Sequence, residues 1–171
     1  MPYLTCPSCG LPTYCVSEGT CPACGTVLRR TNPPVGPRPA ADTVRSKLEM
    51  SRRELRADAA LLSEIRSGRE HIRWAAGDGW AGRSFPLRDT ICERLLTGRI
   101  GQVVWDTHAE PALAGVRLGA IGAYIGVPFK TVDARAYVLC CLAHEARPDL
   151  GESDVSFLQG VVESLRPVLS W

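Results

Sequence analysis

The chain has 171 residues, 45% of them hydrophobic, and its 20 basic and 18 acidic side chains leave a formal charge of +2. That is enough apolar material for one good core plus a small stapled module, and too little net charge for a nucleic-acid footprint over the whole surface. The uncharged, largely apolar stretch Leu118 to Phe129 is too short to span a bilayer, so no membrane partner is expected.

The first element is a four-cysteine stretch, Cys6-Pro7-Ser8-Cys9-Gly10 and then Cys21-Pro22-Ala23-Cys24-Gly25, with the spacing C-x2-C-x11-C-x2-C. Four thiolates satisfy tetrahedral Zn(II), and each Cys-x2-Cys turn points two sulfurs at one site. The glycine after each pair permits the positive φ that turns backbone N–H groups toward the sulfurs. Residues 4–28 resemble the zinc-ribbon family, so one Zn(II) per chain is expected on Cys6, Cys9, Cys21 and Cys24. A disulfide framework is the alternative. Paired knuckles and the lack of a secretory signal favour the metal, and with eight cysteines in all they place the chain in a reducing cytoplasm. Cys15 lies between the knuckles as a bystander or a substitute ligand.

Four thiolates and one Zn(II) sum to −2, and Glu18, Arg29 and Arg30 are the only charged side chains nearby. Such a ribbon is better suited to docking a protein than to reading phosphate. Residues 1–56 carry 8 basic and 4 acidic side chains against 12 and 14 in residues 57–171. This weak basic bias keeps open the alternative of a nucleic-acid-associated or transcription-machinery-associated zinc-ribbon factor, in which the ribbon and the Arg45–Arg56 segment touch phosphate.

Residues 29–41, with four prolines and a glycine, read as an extended linker between a 1–28 module and a 42–171 domain. Asp42 is placed to cap a helix running to about Arg56, with Val44, Leu48 and Leu55 on its apolar face. Leu48, Leu55 and Leu62 fall at heptad spacing, but Ser51 and Asp58 occupy the alternate seam, which favours a helix packed on a sheet over a coiled coil. Ala59–Arg66 and Arg69–Ala76 read as two strands joined at Ser67-Gly68, with helix a competing assignment for the first. In the second, Ile72 and Trp74 share one face and His71, Arg73 and Ala75 the other.

Gly77-Asp78-Gly79 and Ala81-Gly82 form a loop. Thr90-Ile91-Cys92-Glu93 fits a capping box for a short helix ending before Gly98. Val103-Val104-Trp105 reads as a short buried strand, and 111–118 as a short helix ending at Gly119. Ala120–Phe129 reads as a strand with Ile121, Ala123, Ile125 and Val127 on one face and Gly122, Tyr124 and Gly126 on the other. Tyr137–His144 is a further strand. Ser153 is placed to cap a last helix, with Leu158, Val161, Val162 and Leu165 inward, ending near Pro167.

The segments Phe85-Pro86-Leu87-Arg88-Asp89-Thr90-Ile91-Cys92, Trp105-Asp106, Ala123-Tyr124-Ile125-Gly126-Val127-Pro128, Leu139-Cys140-Cys141-Leu142 and Arg147-Pro148-Asp149-Leu150 together resemble a GAF domain over about residues 42–169. The likeness is to those of bacterial sensor proteins and of proteins carrying cyclic-di-nucleotide turnover domains. It implies an α+β fold, an antiparallel sheet flanked by helices, with a pocket on one face, a small-molecule ligand of unknown identity, and a homodimer. It also implies a signal passed to an attached module, for which the zinc ribbon is the candidate. The family's Asp-Gly turn is replaced here by Val132-Asp133-Ala134-Arg135, which leaves that hairpin's geometry open.

Four residues are candidates for the pocket. Cys92, in the first turn of its helix, is either a reactive thiol or a small core residue. Tyr124, between Gly122 and Gly126, projects over a floor without side chains and faces either a stacking ligand or close-packed protein. Asp106 and His108 flank the turn near where the resemblance places the pocket mouth; His71 and His144 read as solvent-facing. Cys140 and Cys141 must point to opposite faces of their strand, so one of them faces the pocket.

No phosphate loop, Ser/His/Asp arrangement or paired-carboxylate signature is present, and the expectation is a protein that is not an enzyme. Some GAF proteins reduce free methionine sulfoxide with pocket cysteines. Cys92 lies near one position of that pattern, but Ala114, Gly115 and Val116 stand where the second is expected.

Overall fold

A computed structural model describes residues 4–5, 12–13, 19–20, 27–28, 38–77 and 79–170. The chain forms two compact units, Met1–Arg38 and Pro39–Trp171. In the first unit, β1 (Leu4–Thr5) pairs antiparallel with β2 (Pro12–Thr13), and β3 (Gly19–Thr20) with β4 (Val27–Leu28). In the sequence, Cys6 and Cys9 fall between the strands of the first pair, and Cys21 and Cys24 between those of the second. These four cysteines and Cys15 lie outside the described residues, as do linker residues 29–37. Among the described residues no His, Cys, Asp and Glu side chains cluster as a metal site.

The second unit, from Pro39, holds all but the first residue of α1 (Arg38–Glu54), which begins inside the segment expected to be linker. Proline fits the first turn of a helix, where its missing N–H has no partner in any case, so Pro39 does not delay the start to Asp42. Val44, Leu48 and Leu55 are buried against the sheet, as the helix-on-sheet reading requires. Ser51, also fully buried, turns its hydroxyl back to the Lys47 carbonyl at 2.9 Å, which lets a polar side chain sit in the apolar stripe.

Strands β5 (Ala59–Arg66) and β6 (Arg69–Ala76) form the expected hairpin. Ser67 and Gly68 take φ of 52° and 69°, the mirror-image turn whose twist matches two paired strands. The chain then continues through β7 (Ser84–Pro86), a 3-10 turn at Leu87–Asp89, α2 (Ile91–Leu96), β8 (Val103–Val104) and a 3-10 turn at Pro111–Leu113. It ends with β9 (Ala123–Lys130), β10 (Ala136–Ala143) and α3 (Glu152–Leu169). The sheet order is β7-β6-β5-β10-β9-β8, and every pairing is antiparallel.

Alternation along the central strands divides the core into two layers. Ala60, Leu62, Ile125, Val127, Leu139 and Cys141 face α1 and α3, with Leu158, Val161, Val162 and Leu165 of α3 packed on them. Leu61, Tyr124, Val138, Cys140 and Leu142 face the other way, toward Ile91, Cys92 and Leu95 of α2. Cys140 and Cys141 thus separate as strand geometry demands. No helix among the described residues is long and apolar enough to cross a membrane.

Several local expectations are corrected. The β5–β6 register shifts between Leu62 and Ser63, leaving Arg73 as an extra residue, so Ile72 and Trp74 fall into opposite layers. Trp105 lies past the end of β8, exposed, with its indole N–H donated to the Leu150 carbonyl at 2.8 Å. The helix expected over 111–118 is a single 3-10 turn, because Gly115 takes φ of 84° and cannot continue it. β9 starts at Ala123, which frees Ile121 to join the α2 side. The last helix is capped at Gly151, whose N–H donates to Asp154 Oδ2 at 2.8 Å, and it runs past Pro167 to Leu169. Thr90 caps α2 as expected, accepting from the Glu93 N–H, but the Glu93 carboxylate pairs with Arg94 instead of closing a box.

The β9–β10 hairpin closes without its glycine. Ala134 itself takes φ of 63°, while Thr131 N–H donates to the Arg135 carbonyl at 3.0 Å and Asp133 bonds both Thr131 and Arg135. The Arg147-Pro148-Asp149-Leu150 segment also has a structural task. The Arg147 guanidinium donates to the carbonyls of Leu55 and Arg56 at 3.0 Å each, past the C-terminal end of α1, while Asp149 holds its other edge.

Candidate functional site

On the α2 side of the sheet the layers do not close. A cavity of about 420 Å³ remains between β5, β6 and β10 on one side and β7, α2 and residues 116–121 on the other. Its walls are mostly apolar, with Leu61, Ile72, Trp80, Phe85, Ile121 and Leu142 contributing. Its size is within the range of small-molecule sites, in which an apolar lining surrounds a few placed polar groups.

Those polar groups are joined. Glu70, 5% exposed on β6, accepts a hydrogen bond from the Ser63 hydroxyl at 2.7 Å and one from the Cys92 thiol at 3.3 Å, both on Oε1. Cys92 Sγ lies 3.5 Å from the Tyr124 hydroxyl. Cys140 lines the same wall and hydrogen-bonds Cys92. The bulge in β6 leaves this cluster intact because it lies beyond Glu70, at Arg73.

Burial decides the chemistry of these groups. The Cys92 thiol is pushed well above its ordinary value by its hydrogen bond with Cys140, by burial and by the Glu70 charge. The Cys140 thiol is also raised: its bond to Cys92 pulls it down, but burial and Glu70 push it further up. The Tyr124 phenol is raised by burial first and then by the two neighbouring thiols. Both sulfurs are therefore protonated at neutral pH, the opposite of an activated nucleophile. The helix N-terminus expected to favour a Cys92 thiolate is outweighed by burial beside a carboxylate.

Of the four pocket candidates, Cys92 and Tyr124 line the cavity. Tyr124 is 1% exposed, and its ring lies back over Gly126, so close that a Cβ there would stand 2.4 Å from the phenol oxygen. The bare floor thus accommodates the tyrosine's own ring, and Tyr124 is wall rather than a projecting platform. Asp106 and His108 are exposed and line no part of this cavity. Asp106 Oδ1 accepts from the backbone N–H groups of His108 and Ala109, which makes it a turn-forming residue. His144 is exposed near Asp58 and His71 is half-buried.

Glu70 was not singled out by the sequence, and of Cys140 and Cys141, one of which was expected to face the pocket, it is Cys140 that does. Cys140 supplies the second pocket thiol looked for near residues 114–116, from a strand distant in the chain. Glu70 reads as one more charge on an alternating strand; a signal was available only in its pairing with Ser63 across the hairpin, both on inward positions. At the cavity mouth stand Arg83, Arg117 and Asp89, all exposed. Arg83 stacks 5.2 Å from the centre of the Trp80 ring.

The sequence matches no family profile and no curated protein. Solved structures do match. The GAF domain of an Acinetobacter phosphoenolpyruvate-protein phosphotransferase superposes with a TM-score of 0.63 at 15% identity, over 75% of this chain and 81% of that one. A phycocyanobilin-bound GAF domain from a cyanobacterial phytochrome gives 0.61 at 13% identity, over 77% and 84%. The GAF domain of PixJ from Thermosynechococcus elongatus, in its blue-light-absorbing form, gives 0.61 at 14%, over 78% and 86%. Six antiparallel strands with helices on both faces, superposing on all three, give this chain the GAF fold.

Proposed function

We propose that the protein is a non-enzymatic sensory or regulatory protein that binds a small molecule in the cavity beside α2. The observation that carries this reading is the cavity itself: about 420 Å³, apolar-walled, with a connected Ser63–Glu70–Cys92–Tyr124 polar cluster at its wall. GAF domains bound to a bilin are among the folds it matches, which supports a ligand here without naming it. The output in this reading is the N-terminal module. Its two strand pairs bracket the Cys-x2-Cys pairs in the sequence, an arrangement suited to a four-cysteine zinc ribbon that docks a protein partner. A homodimer and a cytoplasmic location complete the proposal.

Native mass spectrometry of the chain purified from its own host tests these elements together. The expected result is one zinc per chain, a retained small molecule and a dimer. A metal-free, ligand-free monomer that stays folded overturns the reading. The non-enzymatic element is tested by assaying reduction of free methionine sulfoxide with dithiothreitol as reductant. No turnover is expected from two protonated, buried thiols, and turnover lost in Cys92→Ser refutes it.

A further inference from the structure

Glu70 is a buried carboxyl group whose hydrogen bonding within the protein is incomplete. It is 5% exposed in a cavity with apolar walls, and both of its hydrogen bonds fall on one oxygen. Among the described residues, Oε2 has no hydrogen bond and the carboxylate has no ion pair. The neighbouring acid on the same hairpin, Glu64, is paired with Arg73, so the strand pair does not lack cations in general. A buried carboxylate without a counter-charge is costly, and a ligand that supplies one recovers that cost on binding. The mouth has the opposite character. Arg83 and Arg117 have no ion pair among the described residues, while Asp89 is engaged 3.7 Å from Arg88. The cavity thus presents a carboxylate oxygen without a hydrogen bond at its wall and guanidinium groups without an ion pair at its entrance, with apolar surface between.

We propose that the ligand is a small amphiphilic zwitterion: an apolar body with a protonated amine or amidine that pairs with Glu70, and a carboxylate or phosphate that meets Arg83 and Arg117. This rests on the cavity being a ligand site. Recognition at Glu70 is the stronger element, because a charge-assisted hydrogen bond formed out of water gains more than one at an exposed rim.

The test uses four probes of equal chain length on the full-length protein, by isothermal titration calorimetry: octylamine, 1-octanol, octanoate and 8-aminooctanoate. The expected result is octylamine at least tenfold tighter than 1-octanol, and 8-aminooctanoate at least tenfold tighter than octanoate. In Glu70→Gln, which keeps the side-chain shape and an acceptor for Ser63 and Cys92, both ratios should fall below threefold. In Arg117→Ala, the advantage of 8-aminooctanoate over octylamine should shrink while the preference for the amine persists. If 1-octanol or octanoate binds as tightly as octylamine, the cavity reading stands and this inference is overturned. If none of the four binds, both fall. The ranking on the wild-type chain decides the matter even if Glu70→Gln fails to fold.

Discussion

Placing a methyl group at Gly126 tests whether the cavity wall is built as described. A Cβ there would stand 2.4, 2.7 and 2.9 Å from Oη, Cζ and Cε1 of Tyr124. Normal carbon contacts begin near 3.5 Å, so the ring must move by about 1 Å. The ring is 1% exposed and its hydroxyl lies against Cys92, so the shift disturbs packed neighbours and crowds the cavity. Overpacking of this kind costs about 1–3 kcal/mol. Replacing a strand glycine by alanine returns about 0.5–1 kcal/mol by reducing unfolded-chain entropy, and Gly126 has no positive φ to oppose it. The net expectation for Gly126→Ala is a loss of about 1–2 kcal/mol. In a Tyr124→Leu background all three clashing atoms are gone, and the same substitution should be neutral or stabilising by about 0.5 kcal/mol. Urea unfolding followed by tryptophan fluorescence measures both, because Trp74, Trp80, Trp105 and Trp171 all belong to the Pro39–Trp171 unit. Equal losses in the two backgrounds would refute the account of Tyr124 as a ring folded over its own strand.

Leu48→Ala should cost about 2–5 kcal/mol in the same assay, since Leu48 is fully buried between α1 and the sheet, whereas Met50→Ala, on a 40% exposed side chain, should change little. Ala134→Gly should stabilise by about 0.5–1 kcal/mol, because the left-handed conformation at Ala134 strains a Cβ by slightly more than glycine's extra entropy costs. In acid, Glu49 is held at about 2 by its bonds to Arg52 and Arg53, and Asp149 at about 2 by Arg147. Both values lie below the unfolded ones, so their stabilisation is present above about pH 4 and lost as pH falls toward 2. Urea midpoints at pH 5 and pH 2.5 should show that loss, and Asp149→Asn should show less of it. Burial pushes the Cys141 thiol up to about 12, so stability should fall as pH rises from about 9 toward that value. Iodoacetamide at pH 8 should leave Cys92, Cys140 and Cys141 unlabelled in the folded protein and label all three in denaturant, as peptide mapping will report.

Local pattern carried much of the fold. The Ser67-Gly68 turn, the Thr90 cap, the alternation of Ala123, Ile125 and Val127, and the opposed Cys140 and Cys141 each follow from a two- or 3.6-residue period or from turn chemistry confined to a few neighbours. The expected helix-on-sheet role of Leu48 and Leu55 followed from the same kind of evidence. What failed locally failed where one residue changed the count. Arg73 bulges out of the ladder and sends Trp74 to the other face, and Gly115 stops a helix after one 3-10 turn.

The site was only half visible for a different reason. Cys92 and Tyr124 stood out by their immediate neighbours, and so did Asp106 and His108, which the folded chain leaves outside the cavity. The residues that give the cavity its character, Glu70 and Cys140, come from strands whose meeting with α2 depends on the order β6-β5-β10-β9, and no short-range pattern encodes that order. Outside β6, where Arg73 breaks the alternation, the sequence by itself determined which groups each central strand presents to each side. Only the tertiary structure decided that a carboxylate, two thiols and a phenol would share one apolar wall, because burial and proximity are properties of where chain segments meet rather than of any one segment.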